Sequence, residues 1–382
     1  MARYKLSEVV MRIKDKVDKD NTELEYYIGG EHFDNGEICI TKRGIIKEST
    51  IGPAFHMRFK PGDVLLMSRN PHLRKAGVVD FEGICSDVSY VCRTRDENVL
   101  MQRFLPFIFQ TDAFWKFAEE NKGGSTNFFL NWSDFERYEF NLPSIEEQRQ
   151  LTDILWAAQN AKLAYKELLR QTDELVKSQF IELFGDPILN EKGWPSKSIK
   201  ESAVRLSDGP FGSNLKSDHY SETGVRVIRL QNICEGYFLD DDKAYVSLEH
   251  YEKIKKYTCK SGEIIIGTLG EPNLRACIIP EYIGYAINKA DCVHYIPNPE
   301  YLDTAFVVGF LNSPIVLNYA LGDAHGNTRQ RISSGQISKM PIIIPPMELQ
   351  KQYAVIIQQT DKSKYYEQNH IFSVARGGEL CA

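Results

Sequence analysis

The sequence predicts a mixed α/β (α+β) protein built from two related globular units joined by long helices. Three observations carry this expectation. The segment from Leu142 to Phe184 has the residue spacing of one long helix. Its opening, LPSIEEQRQLTDILWAAQNAK, returns as IPPMELQKQYAVIIQQTDKSK from Ile344. The stretch between those copies repeats the layout of the stretch that precedes the first. An internal repeat has to be settled before any local motif, because it decides the fold.

The first unit spans residues 1–142. EVVMRIKDKV has helical spacing. Short apolar runs broken by Gly and Asp follow (EYYIGG, GEICITKRGII, GDVLLMSR, AGVVDFEGICSDVSYVCRT) and predict strands. VLMQRFLPFIFQTDAFWKFAEEN places aromatic and apolar residues on one helical face. GGSTNFFLNWSDFERYEFNLP then returns through a loop and a short helix to a strand.

Residues 143–186 form the central helix. Pro143 marks its boundary, Ser144 is the expected N-cap, and Glu147 completes a capping box. Gly185 and Pro187 stop it, since Gly tolerates a left-handed cap and Pro cannot continue a helix. Leu151, Ile154, Ala158, Ala161, Tyr165, Leu168, Thr172 and Leu175 alternate in steps of three and four, the spacing of a coiled-coil seam. About forty residues at about 1.5 Å each make a rod of roughly 60 Å. Such a rod needs a second helix beside it or two bodies to space.

Residues 187–343 repeat the first unit. Ile228 follows Ile28 by 200 positions (228 − 28). Pro71, Leu73 and Arg74 line up with Pro272, Leu274 and Arg275 at an offset of 201 (275 − 74). Gly124 and Thr126 line up with Gly326 and Thr328. Residues 344–382 carry the second long helix: Pro143, Gln148, Ile154 and Lys162 match Pro345, Gln350, Ile356 and Lys364, each 202 positions on (345 − 143). Its seam spacing fails after Lys364, and two adjacent Gly predict a frayed tail from about residue 370.

A chain of 382 residues suits two domains. Its 42% hydrophobic and 26% charged content is that of a soluble globular protein. No apolar run approaches the roughly 20 residues of a membrane span, and the N-terminal stretch lacks a signal core, so the expected location is the cytoplasm. The eight Cys include no C-x-x-C pair, which leaves buried reduced thiols as the simple reading. A net charge of −6 argues against a polyanion-coating protein but leaves local basic loops open.

The parts of an enzyme are missing. No two Gly are separated by a single residue, which removes every G-x-G fingerprint for dinucleotides or S-adenosylmethionine. There is no Gly-Lys pair, no G-x-S-x-G elbow and no H-E-x-x-H helix.

The paired segments LPSIEEQRQLTDIL and IPPMELQKQYAVII, with DGPFGSNLKS, VIRLQNI and RISSGQISKMPI, resemble the specificity subunit of type I restriction-modification systems. The resemblance covers nearly the whole chain. It implies two pseudo-symmetric target recognition domains, each reading one half of a split DNA sequence. It also implies that the long helices pack as an antiparallel coiled coil and dock two methylation subunits. These would hold S-adenosylmethionine and the adenine-methyltransferase chemistry, while a restriction and motor subunit cleaves. The chain itself would need no cofactor or metal and would not be catalytic.

The loops agree with that implication. Reading duplex DNA takes Arg for guanine, Asn or Gln for adenine, and Lys, Arg, Ser and Thr for phosphates. In the first unit the candidates are His32; Arg69, Asn70, His72, Arg74 and Lys75; and Ser125, Thr126 and Asn127. In the second they are Arg229, Gln231 and Asn232; Asn273 and Arg275; and Asn327, Thr328, Arg329, Gln330 and Arg331. An ordinary solvated loop is the competing reading for each. Phe211, between Gly209 and Gly212, would either pack inward or touch a base. Two other readings of the whole chain remain open: a self-contained restriction or methylation enzyme fragment, and a protein-only coiled-coil adaptor.

Overall fold

A computed structural model describes residues 2–124, 128–322 and 331–360. The chain divides into two compact units, Met1–Ala164 and Tyr165–Ala382, and a single 40-residue helix, Ile145–Phe184, runs through the division.

Each unit holds two β-sheets whose strand orders correspond. In the first unit one sheet runs Val10–Ile13, Ser89–Thr94, Val64–Met67, Ala76–Val78. Its counterpart runs Ala203–Ser207, Cys292–Pro297, Ile264–Gly267, Ala276–Ile278. The other first-unit sheet runs Gly44–Ile45, Tyr26–Ile28, Gly83–Ser86, Phe55–Phe59. The second-unit sheet repeats that order and adds Tyr220–Ser221 at its edge. Both contain one parallel pairing, Tyr26–Ile28 with Gly83–Ser86 and Val225–Ile228 with Tyr285–Asn288. Central strands such as Val64–Met67 and Ile264–Gly267 are buried at every residue, which is why they read as unbroken apolar runs.

The strand registers correct the sequence alignment of one loop. Val64 pairs with Val78, and Ile264 pairs with Ile278. Both flanking strands are therefore displaced by 200 positions (264 − 64), so Lys75, and not Arg74, stands where Arg275 stands. A second correction concerns EVVMRIKDKV. Only Leu6–Val9 is helical, and Val10–Ile13 is a strand paired with Ser89–Thr94. A run with β-branched residues at both ends took the conformation that its neighbouring strand offered.

The long helix starts as its sequence predicts. The Ser144 amide donates to the Glu147 carboxylate at 2.8 Å, and the Glu147 amide donates to the Ser144 hydroxyl at 3.4 Å. The Ser144 hydroxyl and amide together hold the Glu147 carboxyl below the usual carboxylate range. Gly185, at φ 76°, donates its amide to Ile181 and closes the helix in the left-handed region.

What fixes the helix to the first unit is a glutamine. Gln148 is fully buried. Its Nε2 donates to the carbonyls of Val99 (2.8 Å) and Pro143 (3.0 Å), and its Oε1 accepts from the Met101 amide (3.0 Å). Gln350 repeats this at the start of the second helix, residues 347–360. There Nε2 donates to Tyr301 (2.9 Å) and Pro345 (2.8 Å), and Oε1 accepts from the Asp303 amide (2.7 Å).

The rest of the helix's inward stripe in the first unit is also largely polar. Thr152 and Gln159 are buried, the Trp156 indole donates to the Arg103 carbonyl at 2.9 Å, and Lys162 pairs with Glu37 at 3.0 Å. The predicted seam lies elsewhere on the helix. Leu151, Ile154, Leu168 and Leu175 are exposed, as are Ala158 and Ala161, while Tyr165 and Thr172 are half-buried. Helix-to-helix packing among the described residues is found at the far end, where Phe180 and Phe184 meet Tyr353 with ring centroids at 5.4 and 5.7 Å. Ile356 is half-buried one turn further on. Lys364 and the tail expected to fray from about residue 370 lie outside the described residues.

One partly buried ionisable pair differs between the repeats. In the first unit Arg93 grips Asp63 with two donors; in the second, His294 Nε2 meets Glu263 at 2.7 Å. His294 is 1% exposed, and its Nδ1 is buried without a hydrogen-bond partner among the described residues. Burial lowers the His294 pKa, with Glu263 pulling the other way. The folded chain therefore takes up this proton at a lower pH than the unfolded chain, which takes it up at about pH 6.5. Stability of the second unit is expected to be level above that pH and to fall as pH drops through it, because the unfolded state then binds more protons. Thermal melts of the full chain from about pH 8 to 5.5 would check this. A His294→Gln variant should show a shallower acid slope, and parallel slopes would remove His294 as the cause.

Candidate nucleic-acid interface

Within each unit three loops converge, and matching main-chain bonds hold them. The amide of Leu130 donates to the Ser68 carbonyl (2.9 Å) and that of Ile332 donates to the Thr268 carbonyl (3.1 Å). These bonds seat residues 128–130 beside the loop from Ser68 to Lys75, and residues 331–332 beside the loop from Thr268 to Arg275. In the first unit an Arg69–Phe129 bridge and a bond from the Asn70 amide to the Phe128 carbonyl (2.9 Å) tighten the seating. The third loop is tied in by cationic side chains. Lys75 Nζ donates to the Gly30 carbonyl at 2.6 Å, and Arg275 Nη2 donates to the Leu230 carbonyl at 3.0 Å.

The convergence sorts the candidate residues. Arg69, His72 and Gln231 are exposed, and Asn70 is half-exposed at φ 52°. Arg69 has no ion-pair partner among the described residues. Arg331 is exposed and pairs with Asp291 at 3.1 Å; Arg74 is exposed and pairs with Asp112 at 2.5 Å.

Others are turned inward. Asn232 is fully buried; its Nδ2 donates to Leu239 and Asp242 carbonyls and its Oδ1 accepts from the Arg229 amide. His32 does the same job 200 positions earlier (232 − 32), its Nδ1 accepting from the Gly29 amide at 2.9 Å. Burial lowers its pKa. Arg229 is clamped on the Asp242 carboxylate. Arg275 spends its donors on the carbonyls of Leu230, Ile233, Leu269 and Pro272, and Asn273 is buried. Lys75 is committed to Gly30. In this arrangement these residues shape the loops that the exposed ones stand on. Ser125, Thr126, Asn127, Asn327, Thr328, Arg329 and Gln330 lie outside the described residues.

Phe129, Asp208 and Asp291 are not among the residues that the sequence nominates; Phe211, for which it left inward packing or base contact open, is exposed and not packed inward. Phe129 is exposed among residues 128–130 of the first unit, and Phe211 is exposed in a further loop, Asp208–Asn214, with the Arg331 guanidinium 5.8 Å from its ring centre. Asp291 and Asp208 are acidic neighbours, with Ser334 Oγ donating to Asp208 at 2.5 Å.

Among the described residues no cluster of three or more His, Cys, Asp or Glu is placed to hold a metal. Nor is any single helix there long and apolar enough to cross a membrane. The seven described cysteines are free; burial pushes the thiols of Cys85 and Cys292 up to about 12.

Two copies of one α/β unit, each ending in an equivalent three-loop surface and sharing one long helix, define a tandem recognition architecture. The chain belongs to the family described as the type I restriction modification DNA specificity domain, which matches residues 4–171 and 213–371. It is 22% identical over 239 residues to the type I restriction enzyme MjaVIII specificity subunit of Methanocaldococcus jannaschii. That match takes in 59% of this chain and 56% of the other, so the chain spans about half the length of this curated relative. Among solved structures it resembles the type I restriction-modification S subunit from M. genitalium, with a TM-score of 0.57 and 12% identity over 99% of this chain and 94% of that one. It also resembles a chain from work on complex assembly and conformational transition of the type I R-M system, with a TM-score of 0.50 and 16% identity over 98% and 94%. At these identities what is shared is the fold.

Proposed function

We propose that this chain is the non-catalytic DNA-reading subunit of a type I restriction-modification complex. Each unit reads one half of a split duplex target with its three-loop surface. The long helices fix the spacing of the halves. The stripe of Leu151, Ile154, Ala158, Ala161, Tyr165, Leu168 and Leu175, with Ile356 on the second helix, serves helix packing and the docking of two methylation subunits. Those subunits bring S-adenosylmethionine, and restriction and motor subunits complete the assembly in the cytoplasm. This chain contributes neither cofactor nor reacting group. Its task is to hold the duplex so that a partner can flip an adenine out of the stack.

The observation that supports this best is the duplication of the loop surface. The same main-chain bonds build it twice, while the exposed side chains differ: Arg69, Asn70 and His72 in one unit, Gln231 and Arg331 in the other. A fixed frame with two different sets of donors suits the reading of two different half-sites.

The test is duplex binding by the purified full chain across a salt series, with a methyl-transfer assay alongside. Affinity should fall steeply with salt, by a slope of about 0.9 for each phosphate contacted. Methyl transfer should stay absent until methylation subunits are added. No binding at low salt would end the DNA reading, and methyl transfer by the chain alone would end the non-catalytic one.

A further inference from the structure

Phe211 is 45% exposed and Phe129 is 41% exposed, and neither belongs to any of the apolar clusters of the described residues. A lone exposed Phe is unremarkable. These two differ in how they are held. The loop before Phe211 lies so close to its support that a Cβ on Gly209 would stand 2.3 Å from the Asn288 carbonyl oxygen and 2.4 Å from that of Lys289. Asp208 is tied to Ser334. On the other side the Asn214 amide donates to the Phe211 carbonyl at 3.2 Å, and the Asn214 carbonyl meets His250 Nε2 at 2.9 Å. The ring is thus presented to solvent by a braced backbone, with the Arg331 guanidinium over it, 5.8 Å from its centre.

Phe129 is braced by different means. It exchanges two main-chain bonds with Gly123, at 2.8 and 3.1 Å, and is bridged to Arg69. The two aromatics occupy unrelated loops, yet each ends beside an exposed Arg on its own unit's three-loop surface. A braced aromatic face next to a cation suits one ligand chemistry in particular, the flat π-face of a nucleobase flanked by phosphate. Bracing matters because the ordering cost of the ring is already met before binding.

We propose that Phe129 and Phe211 are base-stacking residues, one for each half-site, with Arg69 and Arg331 as their cationic partners. This rests on the DNA-reading function proposed above. Stacking would act on an unstacked or kinked step of the duplex.

The experiment uses the full chain and a duplex selected by that chain from a random pool. Phe211→Ala should weaken binding roughly ten-fold or more, and substitutions in the half-site read by the second unit should then matter less. Discrimination at the other half-site should be unchanged. Phe129→Ala should do the converse. Phe211→Trp should retain binding, and its added emission should be quenched by the duplex. Phe211→Leu should behave like the Ala variant, because the face and not the bulk is used. Melting curves matching the parent chain confirm that each variant is folded. Variants that fold and bind as the parent does would overturn this proposal and leave the DNA reading intact. A parent chain that binds no duplex would overturn both.

Discussion

Gln148→Ala is expected to destabilise the anchoring of the long helix by about 1–3 kcal/mol, because it removes the partner of three part-buried main-chain groups at once. The amide of Met101 and the carbonyls of Val99 and Pro143 would each lose a partner. Hydrogen exchange is the suitable readout, since two linked units need not unfold as one. The Met101 amide should exchange faster in the variant by the corresponding factor, while the Asp303 amide in the second unit stays protected. Gln350→Ala should give the mirror result. Gln148→Glu should be no rescue, since a carboxylate cannot donate to the two carbonyls. An exchange rate at Met101 that does not move would show that the glutamine is incidental to the anchor.

Gly209→Ala is expected to have an effect of similar size by a different route. The added methyl would fall within 2.3–2.5 Å of backbone atoms of Asn288 and Lys289, which belong to and follow the strand Tyr285–Asn288. Backbone cannot step aside as a side-chain tip can, so the loop from Asp208 to Gly212 must lift off its support. A cost of about 1–3 kcal/mol is expected from overpacking of this kind, together with a change in the environment of Phe211. A Phe211→Trp reporter would show the second effect as an altered emission maximum on adding Gly209→Ala. An unaltered melt and emission would mean that the loop has slack the packing does not reveal.

The fold was legible because repetition and capping are local. Pro143, Ser144, Glu147 and Gly185 each announce a boundary through chemistry that operates within three or four residues. The repeat supplied the rest, since two copies constrain each other. Where the reading missed, the deciding partner was distant in sequence. Val10–Ile13 became a strand because Ser89–Thr94 was there to pair with. The helix face seated on the first unit was missed for a related reason. Periodicity selects apolar stripes, and this contact runs through polar residues: Gln148 is held by hydrogen bonds, Lys162 by an ion pair, and Thr152 and Gln159 are buried between them.

The loop candidates show the same limit. Residue type nominates Asn232, Arg275 and Arg69 equally as donors to a base. Only the coordinates separate the first two, whose bonding capacity is spent on nearby carbonyls, from the third, which stands free of ion pairs among the described residues. Alignment by identity also misled at Arg74, where one matching guanidinium outweighed the equal loop lengths that place Lys75 opposite Arg275.

Among the described residues the glutamine anchors hydrogen-bond to their domains through peptide groups. Val99 and Met101 in one repeat are Tyr301 and Asp303 in the other, and the grip is unaltered by that exchange of character. A fastening that ignores side chains lets the head it holds drift in composition without working loose from its shaft.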